Sequence, residues 1–204
     1  MYSYINEITE KIELKMKTVK KYRADAEQLL NVMPKATFDA FVKKVFEIAS
    51  DNAAYEEYIT YLNGVKQEYN ELKSILNDCN ATMSKIESKA SSAGQELKDA
   101  KLYDASSKYS EKWNSIIENV KAISDDMNSL VSLSRIRVVQ VDTLINNIRM
   151  IKEITNGILS KCYKLLDERE AKYDEYVNSC VKDEKKFYPF DTWWDLYIRG
   201  GIGL

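Results

Sequence analysis

The side chains that most often carry out catalysis or hold metals are scarce in this sequence. The chain of 204 residues contains no histidine and only three cysteines. Without histidine, the serine and cysteine triads, imidazole acid–base catalysis and most zinc sites are excluded. Carboxylate, lysine or tyrosine chemistry would remain, yet no motif or spacing brings such residues together as a pair. We therefore expect a protein without catalytic activity, bound cofactor or bound metal.

The three cysteines, Cys79, Cys162 and Cys180, have positions typical of buried thiols. No two of them form a Cys-x-x-Cys pair, and an odd number leaves one thiol outside any disulfide pattern. Each falls on an apolar stripe of a predicted helix, where cysteine behaves as a small hydrophobic side chain. The sequence therefore predicts free thiols in the core.

Charge and hydropathy argue against two large classes of protein. The 30 basic and 32 acidic residues give a formal net charge of −2. Such a chain has no general affinity for nucleic acid, because that binding depends on Lys and Arg replacing the counterions of phosphates. No apolar run approaches the roughly 18 residues that span a bilayer, and the N-terminal residues lack the features of a signal peptide. We expect a cytoplasmic location or a place within a macromolecular assembly.

The residues with the strongest potential for binding lie at the C-terminal end. We call residues 187–204, with the sequence FYPFDTWWDLYIRGGIGL, the C-terminal strip. Its apolar and aromatic members are predicted to dock on a partner: Phe187, Tyr188, Phe190, Trp193, Trp194, Leu196, Tyr197, Ile198, Ile202 and Leu204. Each Trp or Tyr side chain can bury about 150–250 Å². An apolar surface of that size promotes association when it is left in water.

Three environments would cover such a strip. It could fold back on its own helices, insert into another protein or a second copy, or lie in a membrane interface, where Trp and Tyr accumulate. Insertion into a protein partner is the preferred hypothesis, and the membrane is the least favoured. Within the strip, Thr192 and Asp195 match the spacing of a capping box, which predicts a short helix from Trp193 to Ile198. Gly200-Gly201 is predicted to end that helix.

Apolar residues before the strip recur every three or four positions, which predicts helices throughout. No alternating, strand-like pattern occurs, and no proline stands between Lys35 and Tyr188. Met33-Pro34 is predicted to end the first helix, because the residue before a proline is disfavoured in the helical conformation. A short amphipathic helix follows, and Ser50-Asp51-Asn52 is predicted to be a cap or turn.

The strongest periodicity lies between residues 58 and 97, where apolar residues alternate spacings of four and three. We call this pattern the heptad seam, and it predicts helices that wind around each other left-handedly. Its principal members are Tyr58, Leu62, Val65, Tyr69, Leu72, Leu76, Met83 and Ile86. A helix of this length spans about 60 Å at 1.5 Å per residue, which predicts an elongated protein.

Two further apolar runs continue the helical pattern toward the strip. The first contains Trp113, Ile116, Val120, Ile123, Met127 and Leu130. The second extends from Val141 to Cys180 and has two apolar stripes. A helix with two stripes contacts more than one neighbour, which favours a bundle over a simple zipper.

Four places could interrupt these helices. Small residues predict a reversal at 91–94, and serines predict a turn or kink at 131–136. The Asn-Gly pairs at 63–64 and 156–157 would signal hairpin turns between strands, but no strands flank them. They are interpreted as kinks, helix ends or close helix crossings.

These patterns together predict an all-α protein, an elongated antiparallel helical bundle or coiled coil of three to five helices. We expect a helical domain over residues 1–186 and a docking tail over residues 187–204. The predicted function is that of a structural or interaction protein, a building block or adaptor of an assembly such as a virion or a secretion machine. Its partner would be another protein or a second copy of the chain. The alternative is a peripheral membrane protein, of the pore-forming or membrane-remodelling type, anchored by the strip.

Overall fold

The computed structural model describes residues 2–99 and 107–200, and every regular element within them is helical. Five α-helices follow one another: α1 (Tyr2–Leu29), α2 (Lys35–Ser50), α3 (Asn52–Asp99), α4 (Ser107–Lys182) and α5 (Phe190–Ile198). A single 3-10 turn, Leu30–Val32, extends α1. The predicted all-α fold of three to five helices is confirmed.

The boundaries of α1 and α2 follow from the local sequence. Met33 has extended backbone angles, φ −73° and ψ 128°, as expected for a residue that precedes a proline. Pro34 is the N-cap of α2, and its carbonyl accepts a hydrogen bond of 2.9 Å from the amide of Phe38. Asp51 alone separates α2 from α3. Both predicted helix ends are confirmed.

The long helices continue through the places where interruptions were predicted. Helix α3 runs through residues 91–94 and α4 runs through residues 131–136, so the predicted reversal and the predicted turn are wrong. Small and hydroxyl side chains lower helix propensity by less than about 1 kcal/mol each, and packing against a neighbouring helix overrides such a preference. The connection between α3 and α4, residues 100–106, lies outside the described residues.

The two Asn-Gly pairs also lie inside helices. Helix α3 contains the pair at 63–64, and α4 contains the pair at 156–157. No neighbouring atom lies within 4 Å of the position that a Cβ would take on Gly64 or Gly157. These glycines therefore mark neither helix ends nor close helix crossings.

The chain divides into two compact units. The first unit comprises residues 1–59 and 144–204, and the second comprises residues 60–143. Helices α3 and α4 contribute residues to both units. The predicted boundary between residues 186 and 187 falls inside the first unit, because α5 belongs to that unit.

The core of the first unit combines side chains from α1, α2, α4 and α5. One buried cluster contains Ala26, Leu30, Met33, Phe38, Phe41, Val45, Ile158, Leu159, Cys162, Leu165, Trp193 and Trp194. All three cysteines are free thiols; Cys162 and Cys180 are buried, and Cys79 is half-buried. Burial raises the pKa of the Cys162 thiol to about 11, since the charged thiolate loses its hydration.

The second unit is an antiparallel pair of helices, which we call the helix pair: residues 60–99 of α3 and 107–143 of α4. Moving 14 residues forward along α3, from one contact with α4 to another, moves the contacted residue 14 positions back along α4. Three polar contacts establish this register: Lys66 Nζ to Asp142 Oδ1 at 2.6 Å, Asn80 Nδ2 to Asn128 Oδ1 at 2.7 Å, and Lys121 Nζ to Glu87 Oε1 at 3.6 Å.

Gly94 is a packing site in the helix pair. The indole Nε1 of Trp113 donates a hydrogen bond of 2.8 Å to the carbonyl of Ala90. A Cβ on Gly94 would lie 2.9 Å from the same nitrogen. The absence of a side chain at this position thus lets the indole lie directly on α3, which explains a glycine inside a helix.

Candidate functional site

The C-terminal strip begins after a sharp reversal at the end of α4. Glu184 has a positive φ of 57°. The amide of Lys185 donates to the carbonyl of Cys180 at 2.8 Å, and the amide of Glu184 donates to the carbonyl of Val181 at 3.2 Å. These two bonds form a Schellman motif, in which the left-handed position is normally occupied by glycine.

Two tyrosines of α4 then hold the strip through its backbone. The hydroxyl of Tyr173 donates to the carbonyl of Tyr188 at 2.8 Å. The amide of Tyr188 donates to the hydroxyl of Tyr176 at 3.2 Å. Because both backbone groups of one residue are bound, Tyr188 is fixed against α4 while its own ring stays half-exposed.

Helix α5 starts earlier than the sequence predicted. Its N-cap is Pro189, whose carbonyl accepts a bond of 2.9 Å from the amide of Trp193, and no side chain caps the helix. The predicted capping box of Thr192 and Asp195 is therefore wrong, since both residues lie inside the helix. Gly200, with a φ of 71°, follows the helix end as predicted, and Gly201 lies outside the described residues.

Trp193 is enclosed by other aromatic rings. Its side chain is fully buried. Ring centroids of Tyr173, Tyr197, Tyr176 and Phe190 lie 5.4, 5.2, 6.1 and 6.1 Å from its own. Aromatic pairs at these separations add stabilisation beyond the area that they bury. The rings from α4 and α5 thus form a single aromatic cluster that joins the strip to α4.

Trp194, the next residue of α5, joins the strip to α2. It is fully buried, and its ring centroid lies 4.9 Å from that of Phe38. The guanidinium carbon of Arg169 lies 4.8 Å from the ring centroids of both Trp194 and Tyr197. Arg169 is itself buried, which lowers its pKa from the usual value because the charged form is desolvated. The two electron-rich rings partly replace the lost hydration of this cation.

The backbone from the end of α1 to the first residue of α2 forms three hydrogen bonds with distant side chains. Arg169 Nη2 donates to the carbonyl of Asn31 at 2.8 Å, and Trp194 Nε1 donates to the carbonyl of Met33 at 2.9 Å. The carboxylate of Asp195 accepts from the amide of Lys35 at 2.8 Å. Lys35 is the first residue of α2, so Asp195 satisfies an amide that has no partner within the helix and places a negative charge at its N-terminus.

The strip therefore covers its own chain, one of the three environments considered from the sequence. Trp193 and Trp194 are enclosed, and four further members are half-buried: Phe190, Leu196, Tyr197 and Ile198. Phe187 and Tyr188 remain 47% and 50% exposed. Ile202 and Leu204 lie outside the described residues. Docking of a protein partner or a membrane on the exposed part of the strip stays a prediction.

The heptad seam lies on the side of α3 that faces α4, but only part of it is enclosed. Leu62 and Val65 are buried, and Tyr58, Tyr69, Leu76 and Met83 are half-buried. Leu72 and Ile86 are 44% and 43% exposed. Lys73 and Glu87, the residues that follow Leu72 and Ile86, are half-buried in their place, so Leu72 and Ile86 lie at the solvent-exposed edge of the seam.

Three residues of the apolar run between Trp113 and Leu130 lie outside the face of α4 that packs against α3. Ile116, Ile123 and Leu130 are 47%, 42% and 49% exposed. The residue that follows each of these three points inward instead: Ile117, Ser124 and Val131. Val120, Met127 and Ser134 are the other inward residues of this part of α4. Ser124 has an inward position, where its hydroxyl donates to the side-chain oxygen of Asn80. A search for apolar residues alone could not find this serine.

Several of the exposed apolar residues lie on one flank of the helix pair, whereas Ile136 and Val139 lie elsewhere on α4. Lys66 and Asn80 each contact a residue of α4, and each follows a residue of the heptad seam by one position. Ile116 and Ile123 each precede an inward residue of α4 by one position. At 100° per residue these two sets fall on opposite sides of the inward face. We call the apolar side the open flank, and its members are Leu72, Ile75, Ile86, Ile116, Ile123 and Leu130.

Comparisons with known proteins gave no match to a family model, to a curated protein or to a solved structure. Within residues 2–99 and 107–200, no helix has the length and apolar character needed to cross a membrane.

Proposed function

We propose that this chain is a non-enzymatic structural or interaction protein, a building block or adaptor that associates with other helices through the open flank. The observation that supports the proposal is the half-exposure of Ile116, Ile123 and Leu130. They recur every seven residues, the spacing at which a helix presents one continuous stripe to a partner helix. Scattered exposed apolar residues are ordinary, but a stripe at this spacing beside an incompletely covered seam is typical of an interface.

The C-terminal strip has a supporting role in this proposal. Trp193 and Trp194 stabilise the first unit from within, so they do not serve as anchors in the folded chain. Among the apolar members of the strip up to residue 200, Phe187 and Tyr188 are the most accessible to a partner. The proposal therefore moves the principal association surface from the strip to the open flank.

Site-specific photo-crosslinking tests this function. A photoreactive phenylalanine analogue replaces Ile123 on the open flank, and a matched variant carries it in place of Ser129, which is exposed but lies outside the flank. We expect covalent adducts with a polypeptide from position 123 and none from position 129 in the cells that produce the chain. Equal yields of adduct from the two positions, or no adduct from either, would refute the proposal.

A further inference from the structure

Helix α4 carries one apolar line along most of its length. Its members recur every seven residues, so they share one side of the helix. In the helix pair the line consists of three members of the open flank, and these are Ile116, Ile123 and Leu130. After Arg137 it continues in the first unit with four buried residues, which are Leu144, Ile151, Ile158 and Leu165. The same side of α4 is therefore buried in the first unit and exposed in the helix pair.

Helix α1 covers this line in the first unit. Ala26 of α1 belongs to the same buried cluster as Ile158 and Leu165. Ala26 and Arg23 also line one cleft together with Ile154 and Ile158 of α4. The two helices thus lie side by side along the α4 line, and the burial of that line depends on α1.

Helix α3 and the residue before it carry a second line of the same kind. It contains, at every seventh position, Asp51, Tyr58, Val65, Leu72, Cys79 and Ile86. Its first members also contact α1, because Lys15 Nζ lies 2.8 Å from Asp51 Oδ2. The pKa of Lys11 is raised by a hydrogen bond to Glu7 and, to a smaller extent, by the neighbouring Tyr58. Helix α1 therefore faces both lines, and both continue into the open flank.

We propose that the open flank binds one amphipathic α-helix of a different protein. This helix lies against the two lines of the helix pair in the way that α1 lies against the same two lines in the first unit. The inference rests on the proposed function and names the kind of partner. The apolar face of the bound helix fills the groove between α3 and α4, which is a common mode of peptide recognition. The helix pair and its partner then form a three-helix arrangement.

The packing of α1 favours a single helix over a second copy of the chain. One helix is enough to contact both lines, as α1 shows in the first unit. The α1 of a second copy is not available for this role, because its Ile8, Ile12 and Val19 are already fully buried. The helix pair of a second copy would offer another groove between two helices, whereas a groove is best filled by the ridge of side chains on one helix.

The groove determines the length and composition of the partner helix. In the register of the helix pair, Leu72 lies level with Ile136, and Ile116 lies level with Ser92. The groove therefore extends over about 20 residues, or about 30 Å at 1.5 Å per residue. A matching helix has about three heptads with aliphatic residues at every third or fourth position. Because an isolated helix of this length is only marginally stable, we expect the partner segment to become helical upon binding.

The principal experiment maps where the partner touches the α4 line. The photoreactive phenylalanine analogue replaces Ile116, Ile123 or Leu130 in three separate full-length variants, and the position at Ser129 is again the control. Adducts formed in the producing cells are digested, and the linked residues of the partner are identified by mass spectrometry. We expect the three positions to link to one segment of one protein, at sites about seven residues apart. Sites without this spacing, or spread over unrelated proteins, would overturn the helical partner.

A synthetic peptide with the sequence of the linked segment then tests helix formation. Mixing it with the purified full-length chain should increase the helical circular dichroism above the sum of the two components. It should also slow the alkylation of Cys79, which lies on the α3 line between Leu72 and Ile86. Ile123→Lys is expected to weaken binding at least tenfold, and the matched control Ser129→Lys should leave it unchanged. Binding without a gain in helicity, or without protection of Cys79, would contradict the proposed arrangement.

The outcomes separate this inference from the function on which it rests. Adducts from position 123 to an irregularly spaced set of sites, or to a second copy of this chain, would refute the helix of a different protein and preserve the interaction function. The absence of adducts from all three positions would refute both.

Discussion

The burial of Trp194 leads to a quantitative prediction for the variant Trp194→Ala. Truncating a fully buried tryptophan costs about 3–5 kcal/mol in lost transfer energy and cavity formation. The carbonyl of Met33 also loses its donor, and Arg169 loses one of the two rings that flank it. Leaving a buried acceptor without a partner adds about 1–3 kcal/mol. Since domains are stable by only about 5–15 kcal/mol, the first unit should be severely destabilised.

Two further variants separate the contributions to this loss. Trp194→Phe keeps an aromatic ring but removes the indole N–H, and we expect it to cost about 1–2 kcal/mol, mainly from the lost hydrogen bond to Met33. Phe187→Ala removes an aromatic side chain that is half-exposed in the same strip. It should change the free energy of unfolding by less than about 1 kcal/mol, because little of its surface is withdrawn from water.

The assay follows urea unfolding by circular dichroism, together with the rate at which Cys162 is alkylated. Cys162 is fully buried in the same cluster as Trp194, so its reactivity reports the opening of the first unit rather than the second. Light scattering gives the mass of each variant. A Trp194→Ala chain that keeps the wild-type unfolding midpoint but loses oligomeric mass would refute the reasoning, because the strip would then bind a partner rather than its own helices.

Three other features give testable expectations. Gly94→Ala should lower the free energy of unfolding of the second unit, measured in urea, by about 1 kcal/mol or more, because the new Cβ would crowd the Trp113 indole. Gly64→Ala, where the space is open, is the control and should raise stability by up to about 1 kcal/mol. Glu184→Gly should also raise stability, by up to about 1 kcal/mol in thermal unfolding, because glycine adopts positive φ without strain; a loss would mean that the Glu184 side chain contributes to folding. The Cys162 pKa of about 11 exceeds the ordinary value of 9.0, so its contribution is complete below pH 9 and is lost as pH rises toward 11. The gap in urea stability between wild type and Cys162→Ala should therefore shift against the wild type by about 2–3 kcal/mol between pH 8 and pH 11, and a constant gap would contradict this pKa.

Local sequence signals predicted the helices well and their interruptions poorly. Pro34 ended the first helix as expected, because proline restricts the residue before it whatever the surroundings. The small residues at 91–94 resembled a reversal, yet Gly94 is there to accommodate the indole of Trp113. Whether a glycine marks a turn or a close contact depends on a partner 19 residues away in sequence, and propensity holds no information about that partner.

The same limit applies to the candidate sites. The sequence identified the heptad seam on α3 and an apolar run on α4 that contains Ile116, Ile123 and Leu130. Val120 and Met127 of that run point inward, but Ile117, Ser124 and Val131 take the alternate positions, so the inward face lies about 50° from the one that the apolar run indicates. Asp195 was likewise predicted to cap its own helix, whereas it accepts a hydrogen bond from the first residue of α2.

The sequence by itself determined the helical class, the lack of histidine chemistry, the long seam of α3 and the aromatic character of the strip. These are properties of composition and of local period, which each segment carries without reference to the others. Only the tertiary structure decided that Trp193 and Trp194 are enclosed by the chain's own side chains and that the uncovered apolar stripe lies on the helix pair. Both outcomes depend on which surfaces meet, and that is settled by packing between segments far apart in sequence, such as Trp194 against Met33.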